Sequence, residues 1–170
     1  MSTRRTVPAV VAPAPPHSLA VALAVFLALC LSACAGTQAP LPADPQLASL
    51  SPEARKALSP EGDQLVPVAH ILEAQRAGVD IVFLDARPSL DYEFGHIPGA
   101  VNVPYFEADR HADGLDKDRL YVAYCECPHA EAVQLADALI AKGFRRVKVI
   151  DEGLYGWTQA GGAMVEGAQS

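Results

Sequence analysis

After residue 64, short apolar runs alternate with helical segments, and this alternation most limits the fold. Residues 81–84 form a continuous apolar run, typical of a strand buried on both faces. The same reading of the sequence predicts further strands at 101–103, 120–124 and 147–150 and helices at 70–77 and 130–141. Strands alternating with helices predict one α/β domain, with a small, mostly parallel sheet flanked by helices.

The longest helical pattern, at 130–141, is amphipathic and ends before Gly143, a residue type that commonly terminates helices. We expect its apolar face to pack against the sheet. That face comprises Ala132, Leu135, Ala136, Leu139 and Ile140.

Residues 1–33 have the order of an export signal. Arg4 and Arg5 precede an uncharged apolar run over 18–31, which is short for a membrane-spanning helix. The run ends in Leu-Ser-Ala-Cys at 31–34, which resembles the lipobox of bacterial lipoproteins. The resemblance implies a signal peptide over 1–33 and a lipid on Cys34; the alternative is an uncleaved anchor.

Either interpretation leaves the rest of the chain outside the inner membrane, and the lipoprotein interpretation predicts a cell-envelope protein facing the periplasm. By resemblance to Gram-negative lipoproteins, Ala35 suggests sorting to the outer membrane. The formal net charge is −7, and loss of residues 1–33 would remove two arginines and no acid. Such an acidic chain argues against nucleic-acid binding and against electrostatic binding to anionic lipids, so the lipid would hold the protein on the membrane.

Residues 34–60 contain five prolines and predict a semi-extended tether that buries little. Within it, Ser51, Pro52 and Glu53 have the order of a helix start, which allows a short helix to about residue 58. The folded domain is expected over 61–166.

Cys125 is the candidate nucleophile. Sites in parallel α/β sheets lie at the carboxyl ends of strands, where residues 84–87 and 124–129 are expected. The second segment runs directly into a helix, whose N-terminal N–H groups favour a thiolate and lower the pKa of a thiol. The alternative is an inert, buried thiol. Cys125 and Cys127 are too close in sequence for an easy disulfide.

The domain resembles a rhodanese, a sulfurtransferase domain. The motifs that carry the resemblance are Leu-Asp-Ala-Arg at 84–87, Gly-His-Ile-Pro-Gly-Ala at 95–100 with Asn102 and Pro104, Val-Ala-Tyr-Cys at 122–125, and Gly153 with Trp157 and Gly161. The resemblance implies that Cys125 takes sulfur from a donor as a persulfide and passes it to an acceptor thiol or cyanide, with no cofactor. Donor and acceptor would be small molecules or proteins.

The implied active-site loop comprises Glu126, Cys127, Pro128, His129 and Ala130. Pro128 and Ala130 stand where the family has glycine and a basic or hydroxyl residue, so one N–H group and one anion-binding side chain are missing. Glu126 and Glu131 add negative charge. We therefore expect thiosulfate to be a poor donor and favour a neutral or protein-bound persulfide. Glu131 also replaces the arginine that related phosphatases need, which excludes phosphatase activity.

Cys127 and His129 leave three interpretations open. Cys127 could be a resolving thiol for Cys125; Cys-x-Cys-x-His could bind Cu(I) or Zn(II); or Cys127 is a small buried residue and His129 a donor at the helix start. For the whole domain, a non-catalytic binding module is the alternative to a sulfurtransferase.

Other motif residues have structural interpretations. Asp85 and Arg87 are expected to form an ion pair under the loop. His96 and Asn102 are expected to hold a turn and the following strand, and Trp157 is expected in the core.

Overall fold

Five parallel strands form the sheet that positions the site. The computed structural model describes residues 44–126 and 129–167. The strands are Leu65–Val66 (β1), Ile81–Asp85 (β2), Val101–Asn102 (β3), Leu120–Tyr124 (β4) and Val147–Ile150 (β5). They lie in the order β1-β5-β4-β2-β3, and each pairing is parallel. The predicted α/β fold with a small parallel sheet is confirmed.

Helices cover both faces of this sheet. They are Pro52–Leu58 (α1), Val68–Arg76 (α2), Ser89–Phe94 (α3), Ala108–Ala112 (α4), Ala130–Ala141 (α5) and Gly153–Gln159 (α6), with 3-10 helices at Pro45–Ser49 and Tyr105–Glu107. The helices predicted at 70–77 and 130–141 correspond to α2 and α5. Within the described residues, no helix is long and apolar enough to cross a membrane.

Alternate residues of the central strands point to two separate cores. Phe83 of β2 contacts the fully buried Trp157 of α6 edge-on, with ring centroids 5.3 Å apart, so Trp157 lies in the core as predicted. On the opposite face, Leu84 packs with Cys125 and α5. Ile140, predicted on the apolar face of α5, is instead 45% exposed, because Leu139 takes the inward position and successive helical residues point about 100° apart.

The proline-rich stretch differs from the expectation that it buries little. Where the structure describes it, from residue 44 onward, its apolar side chains join the core of the domain: Leu47, Leu50, Ala54 and Leu58 are buried. Ser51 begins α1 as predicted, and its Oγ accepts a hydrogen bond from the Ala54 N–H at 3.2 Å. Proline lacks an N–H but does not prevent neighbouring leucines from packing. Residues 1–43, including the predicted signal and Cys34, lie outside the described residues.

Candidate active site at the carboxyl edge of the sheet

The strand order brings the two motif segments together. β2 and β4 are neighbours, but the chain leaves β2 towards β3 and leaves β4 towards β5, in opposite directions. In open α/β sheets, binding sites lie at such a switch point, outside the carboxyl ends of the two strands. Asp85 pairs with Tyr124 at these ends, and Cys125 is the next residue. The sequence-based placement of Cys125 between β4 and α5 is correct.

Cys125 is completely buried, at 0% exposure. It packs in the core with Leu84, Ala132 and Leu135. Its carbonyl accepts a hydrogen bond from the Leu154 N–H at 2.9 Å, which ties the loop to the start of α6. Cys127 and Pro128 lie outside the described residues.

Asp85 and Arg87 form the predicted ion pair. The guanidinium of Arg87 contacts both carboxylate oxygens, with Nη2–Oδ2 at 2.6 Å and Nε–Oδ1 at 2.9 Å. Burial alone would lower the pKa of Arg87, but the hydrogen bond and charge of Asp85 outweigh it and raise that pKa. Nη2 also donates to the Gly95 carbonyl at 2.6 Å. The pair therefore joins the end of β2 to the turn that follows α3.

Tyr124 has a role in the site that the sequence reasoning did not predict, although it belongs to the motif at 122–125. Its hydroxyl accepts a hydrogen bond from the Ile97 N–H at 3.1 Å, and the carboxylate of Asp85 lies close enough to influence its ionisation. Burial, followed by the negative charge of Asp85, raises the pKa of Tyr124. The Arg87 guanidinium lies 5.9 Å from its ring centroid. The position of Tyr124, immediately before Cys125 in an apolar strand, indicated burial but not these partners.

His96 and Asn102 hold the turn, as predicted. The His96 ring stacks on Tyr92 with centroids 3.7 Å apart, and its Nδ1 lies 2.9 Å from the Tyr92 carbonyl. The Asn102 amide donates to the carbonyls of Asp85 at 3.2 Å and Arg87 at 2.9 Å. Between them, Gly99 adopts φ +76°, a conformation that favours glycine.

The surroundings of the loop are acidic. Glu126 is exposed, and its Oε2 lies 3.8 Å from Arg87 Nη1. Burial, and next the charge of Asp91, raise the pKa of Glu131. Ala130, the exposed first residue of α5, supplies neither a cation nor a hydroxyl. Carboxylates therefore outnumber cationic side chains among the described residues around the loop.

His129 lies at the start of α5, where its carbonyl accepts a hydrogen bond from the Val133 N–H at 2.8 Å. Its side chain makes no hydrogen bond that caps α5. Instead its Nδ1 lies 3.2 Å from the Asp151 carbonyl and 3.5 Å from Asp151 Oδ1. Among the described residues, no group of three ligands could hold a metal ion. Because Cys127 lies outside that set, the metal and redox interpretations stay predictions.

Comparison with known proteins identifies the family. The model of the rhodanese-like domain matches residues 68–160. The chain belongs to the rhodanese-like family. The match includes both motif segments and Cys125, and excludes the N-terminal region before residue 68.

Two curated proteins are similar to this rhodanese-like chain. The HTH-type transcriptional regulator Rv0324 of Mycobacterium tuberculosis is 37% identical over 127 residues, which are 74% of this chain and 55% of that protein. The putative sulfur carrier protein YrkF of Bacillus subtilis is 32% identical over 93 residues, which are 51% of this chain and 49% of YrkF. The chain therefore spans about half the length of the curated relatives it matches.

Solved structures share the fold. The Alr3790 protein of Anabaena sp. is 27% identical, with a TM-score of 0.54 over 59% of this chain and 81% of that one. Thiosulfate sulfurtransferase from Pseudomonas aeruginosa is 26% identical, with a TM-score of 0.53, and the match covers 62% of this chain but 20% of the enzyme. The rhodanese-like domain is thus related to sulfurtransferases and to a putative sulfur carrier.

Proposed function

We propose that the protein is a sulfurtransferase or persulfide carrier in which Cys125 accepts the sulfane sulfur. The observation that carries the proposal is the position of Cys125, directly after β4 and beside the end of β2, in a rhodanese-like domain. The relationship to a thiosulfate sulfurtransferase and to a putative sulfur carrier supports the same chemistry.

In the proposed reaction, the Cys125 thiolate attacks the outer sulfur of a donor persulfide. A bond forms between Sγ and that sulfur, the donor S–S bond breaks, and the donor leaves as a thiolate. Backbone N–H groups of the loop, from Glu126, His129 and Ala130, would stabilise the bound sulfur. The Asp85–Arg87 pair acts through position, because it holds the end of β2 and the Gly95 turn beside the loop.

We further propose a neutral or protein-bound persulfide as the donor rather than thiosulfate. The exposed carboxylate of Glu126 lies 3.8 Å from the Arg87 guanidinium and competes with an incoming anion for that cation. Since Ala130 provides no replacement, a dianion next to Cys125 would face net repulsion.

Mass spectrometry of the intact chain tests this proposal. The chain is exposed separately to thiosulfate, 3-mercaptopyruvate and glutathione persulfide, and the added sulfur is mapped to a peptide. We expect one sulfur atom on Cys125 from glutathione persulfide, much less from thiosulfate, and none in Cys125→Ser. Equal loading of Cys125→Ser would show that Cys125 is not the nucleophile.

The complete burial of Cys125 favours one alternative, a non-catalytic binding module. The similarity to part of a transcriptional regulator is compatible with such a role. The alkylation rate of the native chain distinguishes the two functions. A sulfurtransferase predicts alkylation of Cys125 that prior loading with sulfur blocks, whereas a binding module predicts a thiol that reacts only after unfolding.

We also propose that the protein is anchored to the cell envelope by a lipid on Cys34. The support is the sequence order of residues 1–34. Labelling with a radioactive fatty acid tests it: the wild-type chain is expected to incorporate the label and to fractionate with membranes. Cys34→Ala should lose both properties, and an unlabelled wild-type chain would refute the anchor.

A further inference from the structure

Exposed apolar side chains concentrate at the edge of the sheet that holds Cys125. Among the described residues, six large apolar side chains are at least 40% exposed. Four of these follow the carboxyl ends of β2, β3 and β5; they are Leu90, Phe94, Phe106 and Tyr155, at 62–72% exposure. We call these four residues the apolar rim. Carboxyl ends of parallel strands share one edge of the sheet, so the rim residues and the Cys125 loop lie on segments that leave the sheet at the same edge.

Neighbours of two rim residues connect the rim to that loop. Leu154, next to Tyr155, donates its N–H to the Cys125 carbonyl at 2.9 Å. Phe94 immediately precedes Gly95, whose carbonyl is bound by Arg87, and Arg87 reaches Glu126 at 3.8 Å. The two aromatic residues therefore lie on elements anchored to either side of the loop.

The other two rim residues extend this surface. Leu90 lies one turn before Phe94 on α3 and shares its face. Phe106 contacts Tyr105 edge-on at 5.2 Å, and the Tyr105 N–H donates to the Ala86 carbonyl at 2.9 Å. The rim thus spans α3, the second 3-10 helix and α6.

The charge within the rim is negative. Asp91 and Glu126 both raise the pKa of Glu131, after the larger effect of burial, whereas Arg87 lowers it. Arg87 is itself buried and paired with Asp85, while the carboxylate of Glu126 is exposed. By contrast, arginines 119, 145 and 146 directly precede β4 and β5 and lie at the opposite edge of the sheet. An approaching partner therefore meets an apolar surface with negative charge at its centre.

We propose that the apolar rim and these three carboxylates form the docking surface for a protein acceptor whose thiol lies in a basic, apolar surface. The proposal rests on the proposed function of Cys125. Large exposed apolar side chains around a site are typical of protein interfaces, and the carboxylates select a partner of opposite charge. The acceptor thiolate attacks the outer sulfur of persulfidated Cys125, the new S–S bond forms on the acceptor, and Cys125 leaves as a thiolate. The proton given up by the acceptor thiol ends on Cys125 or on the new persulfide, and no net oxidation occurs.

Synthetic acceptors test the proposal. The full chain is loaded with glutathione persulfide, and sulfur transfer is measured to the peptides Lys-Leu-Cys-Phe-Lys and Glu-Leu-Cys-Phe-Glu and to cyanide. The rate of sulfur transfer from the protein to each peptide is divided by the rate of transfer from free glutathione persulfide to the same peptide, which corrects for differences in thiol reactivity. We expect the basic peptide to accept sulfur about tenfold faster than the acidic peptide at low salt, and less so at high salt.

Variants locate the effect. In the double variant Phe94→Ser/Tyr155→Ser, the ratio of basic-peptide to cyanide turnover is expected to fall about tenfold. In Asp91→Asn/Glu131→Gln, the preference for the basic peptide should disappear. Ile140→Ser, at an exposed apolar residue near the distal end of α5, is the matched control and should leave both measurements unchanged.

Three outcomes would overturn the proposal. The first is equal corrected rates for the two peptides; the second is rim variants that behave like Ile140→Ser. The third is another occupant, shown by wild-type self-association or binding to phosphatidylcholine vesicles that Phe94→Ser abolishes. A wild-type chain that acquires no cyanide-labile sulfur refutes the proposed function itself, and this inference with it.

Discussion

Replacing Lys148 by methionine should change how the stability of the protein depends on pH. Lys148 lies on β5 and is 3% exposed. Its Nζ donates to the carbonyls of Gly62 at 2.7 Å and Asp63 at 3.1 Å. Burial lowers its pKa to about 8, although the charges of Asp63 and Glu61 act in the opposite direction; Arg146 adds a further lowering effect.

The sign follows from proton linkage. The folded pKa lies below the unfolded value of 10.5, so between about pH 8 and 10.5 the unfolded chain binds one more proton than the folded chain. The unfolding free energy therefore rises with pH over this range. Below about pH 8 the buried amine is charged, and the protein bears the full destabilisation of burying it. The total cost is about 3 kcal/mol, of which about 2 kcal/mol is recovered between pH 7 and 9.5.

Urea denaturation of wild type and Lys148→Met at pH 7 and pH 9.5 measures this difference. Wild type should gain about 2 kcal/mol of unfolding free energy relative to the variant between these pH values. Loss of the two hydrogen bonds changes the unfolding free energy of the variant by the same amount at both pH values. The buried tyrosines are present in both proteins. Neither effect therefore contributes to the difference in pH dependence between them. Lys56→Met, at an exposed lysine, controls for net charge. Parallel pH profiles for wild type and Lys148→Met would refute the reasoning.

Three further substitutions probe the site. Asp85→Asn leaves the buried Arg87 guanidinium without its carboxylate and should cost about 3 kcal/mol in urea denaturation, with reduced sulfur loading; unchanged stability would contradict the buried pair. Tyr124→Phe removes the acceptor of the Ile97 N–H and should cost about 2 kcal/mol, read from thermal melting, whereas a loss below experimental error would argue against that bond. At Gly99, with φ +76° and no atom within 4 Å of an added Cβ, Gly99→Ala should cost about 1 kcal/mol of backbone strain, and a stabilising effect would refute this.

The centre of the site could be predicted because its signals are local. Cys125 follows an apolar strand and precedes an amphipathic helix, and Asp85 and Arg87 are separated by one residue at a strand end. Both patterns depend on neighbours in the sequence. The hydroxyl of Tyr124 was not predictable in the same way, because its partner Ile97 is 27 residues away and is brought to it by strand pairing.

Sequence alone determined that the chain contains buried parallel strands alternating with helices, since burial on two faces requires continuous apolar runs. Tertiary structure decided the rest. The order β1-β5-β4-β2-β3 placed β2 beside β4 and so brought the two motif segments together. The two-residue strand β1 is too short to show a periodicity. Leu47 and Leu50 joined the core despite flanking prolines, and Phe94 and Tyr155 came to one edge from distant elements. A local sequence pattern indicates which side chains tend to be buried. Which buried and exposed surfaces lie next to each other depends on strand and helix pairings between distant segments.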